Sequence, residues 1–321
     1  MAFKEDREPS KISVFLASDI FKGLLPFIGL IVIVAVMYWL TDGRIMQPKR
    51  LRLLLSQVYY PMIVATGVFF VMTLGSIDFT EGSTLGVASI VISVLSFYSI
   101  PLAILGGSLT GAAIGAINGF FHVKFKLQSF IVTICTMYLF RGVCAYLTTE
   151  TAIPASQAIK ALDSDNLKIA ITLTVLIIAF FMFKFTRAGH DIKAIGSGER
   201  AAKFSGIKTD KVKFFVFVTA GALTGLAAFV NVIKVGSITS TSGNQLETQI
   251  LISLVLGGLP ITGGAKVRFS NIIVGTLMYM ILNNGLVMLG FESATQQLIK
   301  GIVFLIFVAL TIDRKALKVI K

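Results

Sequence analysis

Between Gly82 and Val123 the chain runs for 42 residues without one Asp, Glu, Lys or Arg. A bilayer core about 30 Å thick is crossed by roughly 20 apolar residues in a helix, so this run holds two crossings. The dipeptide Ser99-Ile100 and its neighbours Tyr98 and Pro101 supply the turn between them. Apolar runs elsewhere give eight more: Gly23–Leu40, about Val58–Leu74, Phe130–Thr148, Ile169–Phe183, Phe214–Val232, a short one at Thr248–Leu259, Asn271–Leu289 and Leu298–Ile312. Every backbone group inside a bilayer needs an internal partner, which helices provide. The expectation is therefore an all-α polytopic membrane protein of about ten transmembrane helices, one transmembrane domain over residues 1–321.

The composition fits that class: 55% of residues are hydrophobic, 14% are charged and the mean hydropathy is +0.86. The net charge of +13 is explained by Lys and Arg gathered in inner loops, and no aromatic-basic interleaving for nucleic acid lies outside the spans. With the N-terminus inside, inner segments hold 20 of the 29 basic residues, and Arg141 falls within a span. Both termini are then expected on the inner side, and the first run reads as an uncleaved anchor, since no small-residue cleavage site follows it. Arg44, Lys49, Arg50 and Arg52 fall on the outer side against this trend. They either cap an amphipathic stretch there or mark a miscounted first span.

The longest polar interruption is Thr186–Lys213, within a stretch carrying eight Lys and Arg from Lys184 onward. Glu199 and Lys203 stand four apart in the favourable order for a helical pair, and Gly206 falls where a glycine ends a helix. A short internal repeat brackets this loop. Gly75–Gly82 (GSIDFTEG) aligns with Gly236–Gly243 (GSITSTSG) at an offset of 161, and Asn118-Gly119 with Asn284-Gly285 at 166. Five spans separate the matching helices, so the halves, about 58–148 and 213–312, are inverted in the bilayer. Short, Gly/Pro-interrupted segments in matching positions of two halves point to a translocation path.

Candidate path residues are Asp78, Glu81, Ser83, Asn118 and Asn284. A carboxylate at membrane depth needs a polar cavity or a partner, although Asp78 or Thr80 would equally serve as a helix N-cap. Arg141 either snorkels outward, which is the expectation, or pairs inside. Gly107, Gly111, Gly115 and Gly119, and Gly221 and Gly225, form close-packing faces. Cys135 and Cys144 lie nine apart, on opposite helix faces, and read as core residues without metal-ligand spacing. No catalytic or metal constellation can be built from His122 and His190. Gly258–Lys266 lacks the Lys-Ser/Thr of a phosphate loop, so nucleotide chemistry is expected on another chain.

Several motifs together resemble the permease subunits of bacterial ABC importers for monosaccharides, of the ribose, xylose and galactose type. They are GSIDFTEGS at Gly75–Ser83, FIVTICTMYLFRG at Phe130–Gly142, AIGSGERAAKFSGIKTDKVK at Ala194–Lys213, LGG and ITGG within Leu256–Gly264, and NNGLVMLG with QQLIKG within Asn283–Gly301. The resemblance implies a second permease, identical or not, a pair of ATP-binding subunits carrying ATP and magnesium, no cofactor in this chain, and an extracytoplasmic solute-binding protein at a bacterial inner membrane. It also implies a coupling helix at Gly196, Glu199, Arg200, Ala201, Ala202, Ser205 and Gly206. Arg200, Glu81 and Leu259-Pro260 depart from the family pattern. The rivals are the same architecture carrying nucleosides or branched-chain amino acids, and an ion-coupled carrier using Asp78 and Glu81.

Overall fold

The computed structural model describes residues 19–311. The expectations for Lys4, Arg7, Lys11, the basic tail and the two termini lie outside those residues. Thirteen helices are described. They are α1 (Asp19–Leu40), α2 (Pro48–Thr73), α3 (Glu81–Leu95), α4 (Ile100–Lys124), α5 (Ser129–Leu147), α6 (Gln157–Lys160) and α7 (Asp165–Phe185). There follow α8 (Arg187–Ser197), α9 (Glu199–Phe204), α10 (Thr209–Val235), α11 (Leu246–Leu256), α12 (Ser270–Met288) and α13 (Ser293–Thr311). Two residues from each of two loops, β1 (Ile153–Pro154) and β2 (Ser237–Ile238), pair antiparallel.

Each of the ten apolar runs is a helix. Seven are long and apolar enough to cross a membrane, while α3, α11 and α13 are shorter apolar helices. The protein is an all-α polytopic membrane protein. The turn at Tyr98–Pro101 is present: the Ser99 hydroxyl accepts from the Leu102 amide at 3.3 Å, and Pro101 sits in the first turn of α4, where its missing N–H costs nothing. Gly75 and Gly236, the first glycines of the two repeat copies, follow α2 and α10 in left-handed conformation, at φ of 77° and 74°. A Cβ there would be strained.

α1 is a complete 22-residue helix, so the first span is not miscounted. Lys49, Arg50 and Arg52 are exposed in the opening turn of α2, and Arg52 lies 3.9 Å from Asp165. Lys300 sits two turns into α13. Its amine donates to Asn283 Oδ1 at 2.6 Å.

The main hydrophobic cluster draws on residues from Leu54 to Met280. At its centre α2 crosses α10, and α4 lies along α10. The latter contact is made by glycine against glycine. A Cβ on Gly111 would collide with the Gly221 carbonyl, one on Gly221 with the Gly111 carbonyl, and one on Gly225 with the Gly107 carbonyl. Such approach is how apolar helices gain packing energy when lipid competes equally for their side chains. Gly111→Leu should therefore lower the thermal midpoint of the detergent-solubilised protein by several degrees, overpacking costing about 1–3 kcal/mol or more. Gly142→Ala, which meets nothing within 4 Å, should hold or raise that midpoint by size-exclusion or unfolding assay.

Candidate functional site

Two interrupted segments meet inside the bundle. Residues 76–80 form an extended stretch ahead of α3, and residues 239–245 turn into the start of α11. Their junction is Gly82 against Gly243, the last glycine of each repeat copy. A Cβ on either would collide with the carbonyl oxygen of the other. Irregular backbone at membrane depth is tolerated only when protein supplies its hydrogen bonds, and side chains do so here. The Ser129 hydroxyl accepts from the Ile77 amide at 3.1 Å, and Asp78 Oδ1 accepts from the Thr80 amide at 2.8 Å and hydroxyl at 2.6 Å.

Of the candidate path residues, Asp78 and Asn118 are brought together through Thr80. Asn118 Nδ2 donates to the Thr80 hydroxyl at 3.0 Å, and Asn118 Oδ1 accepts from the Thr136 hydroxyl at 2.6 Å. Ser83 donates to the Thr80 carbonyl at 2.9 Å. Asp78 and Glu81 are each only 2% exposed, so both act inside the protein rather than on an open surface. Glu81 Oε2 accepts from the Thr224 hydroxyl of α10, while its Oε1 is buried without a hydrogen-bond partner. Asn284 is elsewhere, donating to Gln57 at 3.1 Å and to the Met280 carbonyl at 2.9 Å.

Arg141 does not snorkel. Its guanidinium donates to Asn244 and lies 3.2 Å from both carboxylate oxygens of Glu247 in the first turn of α11. The physical reason is Gly82, whose missing side chain leaves room for this pair against its backbone. Glu247 was overlooked because it stands one residue outside the charge-free run that marked α11. Thr80 was read only as a possible N-cap, and its side chain makes no capping bond; Thr136 and Thr224 gave no signal, since lone threonines are common in apolar helices. Cys144 is buried, but Cys135 is exposed and not a core residue.

The polar loop folds as α8 and α9, joined at Gly198. Thr186 caps α8, accepting from the Gly189 amide at 3.4 Å. Gly206, at φ 85°, ends α9 as expected, with the Gly206 amide donating to Lys203 and the Ile207 amide to Ala202, both at 3.1 Å. That bonding pattern satisfies the last carbonyls. Glu199, however, pairs with Lys213 of α10 at 2.6 Å rather than with Lys203, since α10 begins beside α9.

The residues expected in a coupling helix divide into two sets. Gly196 packs inward, where a Cβ would collide with the Thr73 carbonyl at the end of α2, and Ala202 is buried. Glu199, Arg200, Ala201, Ser205 and Gly206 are exposed. Phe204, missed in the sequence although it is a lone aromatic in a polar loop, is 93% exposed. Burial alone depresses the Lys193 amine below the usual lysine range; it lies 4.0 Å above the Phe183 ring and donates to the Phe183 carbonyl at 3.2 Å. Among the described residues no group of three or more His, Cys, Asp or Glu could hold a metal ion.

Residues 51–308 match the model of a family described as the branched-chain amino acid transport system / permease component. The chain belongs to this permease family. It is 33% identical over 300 residues to the ribose import permease protein RbsC of Bacillus subtilis (strain 168), covering 90% of this chain and 92% of that one. It is 31% identical over 274 residues to RbsC of Escherichia coli (strain K12), covering 82% and 84%. It is 27% identical over 301 residues to the D-allose transport system permease protein AlsC of the latter organism, covering 90% of each. No solved structure matches.

Arg141→Met should destabilise this permease by leaving Glu247 unpaired. A fully buried pair broken this way costs about 3–5 kcal/mol, and Arg141 keeps 26% of its side chain exposed, so the loss should be smaller. Arg141→Met with Glu247→Met should recover part of it, read as the unfolding midpoint in detergent.

Proposed function

We propose that this chain is the permease subunit of an ATP-driven importer, forming the membrane pathway for a monosaccharide delivered by an extracytoplasmic binding protein. The observation that carries the reading is the exposed face of α9. A fully projecting phenylalanine flanked by Arg200, Lys203 and a left-handed glycine is a costly surface to leave in water, worth about 1.5–3 kcal/mol on burial. An aromatic anchor with a charged rim is the usual composition of an interface hot spot. Its partner is a soluble ATP-binding subunit, which brings the ATP and magnesium, one for each of two permeases. Membership of the family and the names of its sugar-carrying relatives support the solute class.

In this reading the basic end of the bundle faces the cytoplasm of a bacterial cell, in its plasma membrane, with both termini on that side. α2–α5 and α10–α13 are inverted copies. The reciprocal Gly82–Gly243 contact and the paired left-handed glycines at 75 and 236 support that relation. α8 stands where the two copies meet: Gly196 lies on the Thr73 carbonyl, which accepts the Gly264 amide at 3.1 Å. Gly264 belongs to the loop between α11 and α12. A push on α9 therefore reaches one element of each half, and tilts the halves against each other about the glycine crossing.

The test is uptake of labelled ribose by proteoliposomes holding the permease, its ATP-binding subunit and the binding protein. Uptake should require ATP and survive a proton uncoupler; uptake without ATP, or its collapse with the gradient, would refute the importer. Labelled leucine in place of ribose as the transported solute would overturn the sugar assignment. For the docking face, Phe204→Asp should cut co-purification of the ATP-binding subunit at least tenfold, about 1.4 kcal/mol, with the permease's unfolding midpoint unchanged.

A further inference from the structure

We propose that a neutral polyhydroxylated solute contacts this chain on one open polar face. The face is built by Tyr138 and Arg141 of α5, Asn244, Gln245 and Thr248 at the head of α11, and Gln297 of α13. It deepens, and rests on, the transport reading above.

Depth is the first argument. Arg141 lies six residues from the end of α5, about 9 Å inside it at 1.5 Å per residue, and it bonds Asn244. The head of α11 abuts Gly82 at the start of α3, whose 15 residues rise about 22 Å to its far end. These polar groups therefore sit at the level of the apolar spans, not beyond them. The large side chains exposed midway along other helices are apolar, Ile31 and Val32 on α1, Leu105 and Leu109 on α4, Ile177 and Ile178 on α7, beside a single exposed hydroxyl on α7, Thr174. Asn244, Gln245, Thr248 and Gln297 are exposed in the same way. Lipid cannot satisfy amides and a hydroxyl, and an unmet polar group in hydrocarbon costs several kcal/mol. This face must meet water or a polar solute.

Chemistry is the second argument. The groups are the Asn244 and Gln245 amides just ahead of α11, a third amide on α13, a hydroxyl and a guanidinium, with Asn244 Oδ1 accepting from Arg141 and Gln245 Oε1 from Gln297. They offer both donors and acceptors without net charge, since Glu247 neutralises Arg141 and holds it in place. Gln249, one turn along α11, keeps a buried amide nitrogen without a partner. Tyr138 is 67% exposed one turn before Arg141 and offers a ring on which the C–H face of a sugar packs. Gly142 and Gly301, beside the face on α5 and α13, have open space where a Cβ would stand. A flat, uncharged, donor-and-acceptor surface with one aromatic suits a monosaccharide better than an amino acid, which needs separate sites for two opposite charges.

The experiment uses the complete transporter in proteoliposomes. In a Cys135→Ser, Cys144→Ala background, the single substitutions Asn244→Cys, Thr248→Cys and Gln297→Cys should react with a membrane-impermeant thiol reagent, whereas Leu109→Cys should not. Ribose with the binding protein should slow the reaction, and labelling should lower uptake at least tenfold. In the native-cysteine protein, Asn244→Leu and Gln297→Leu should raise the KM for ribose three- to tenfold while co-purification of the ATP-binding subunit is kept. Ribose uptake by the unlabelled protein with no labelling at these positions, which contact with a second copy would produce, overturns this proposal alone. So does labelling that leaves uptake intact. Absence of ribose uptake in the wild-type transporter overturns the transport reading and this proposal with it.

Discussion

The contact of Gly82 with Gly243 brings the first turn of α3 against the non-helical segment ahead of α11 inside a bilayer-spanning bundle, and much of the remaining architecture answers to it. Backbone that leaves the helix at such depth loses its internal hydrogen bonds, and hydrocarbon offers none in return. The segments before α3 and α11 are consequently walled in by protein and fed by side chains. Ser129, Thr133 and Asp78 serve the first of them. β1 and β2 pin the departure of the second, with Ile238 opposite Ile153. Any side chain at Gly82 would also displace the Arg141–Glu247 pair, so one glycine licenses the crossing and the ion pair beside it.

The same economy of small residues governs how motion is transmitted. Along α4 and α10 the backbones touch with no side chains between them, which makes that contact stiff and two-valued rather than compressible. α8, by contrast, packs on the bundle through the buried side chains of Ile192 and Ile195 and through Gly196 at its last turn, while Glu199 and Lys213 tie α9 to the start of α10. α8 and α9 therefore touch the bundle near the end of α2 and at the first residues of α10. Those two helices cross each other at Gly67 and Ala220, where a Cβ on Gly67 would stand 3.0 Å from Ala220 Cα.

The spans, the turn at Tyr98–Pro101, the close-packing glycines and the short helix ended by Gly206 were legible because each rests on local chemistry: hydropathy, backbone freedom or capping. What escaped were pairings set by tertiary proximity. Glu199 stands in a perfect helical register with Lys203, yet Lys213 from the next helix takes it. Arg141 has a length suited to snorkelling, yet a carboxylate 106 residues away is nearer than the membrane surface. The Asn118–Asn284 match illustrates the reverse case. The repeat relates the two positions, but their partners, Thr80 and Thr136 for one and Gln57 for the other, come from non-equivalent surroundings.

That inequality of surroundings carries functional weight. Both short helices begin with a carboxylate in the first turn, Glu81 on α3 and Glu247 on α11, where a helix dipole favours negative charge by about 0.3–1 kcal/mol, more when partly buried. Around Glu81 the copy is closed: α10 supplies Thr224, α4 supplies Asn118 to the neighbouring turn, and no cation among the described residues pairs with it. Around Glu247 the copy is open: the guanidinium of α5 arrives from the other half, and exposed amides continue from α11 to α13. The two short helices therefore differ in their surroundings: the carboxylate of α3 is enclosed and meets a hydroxyl, whereas that of α11 meets a guanidinium beside exposed polar side chains.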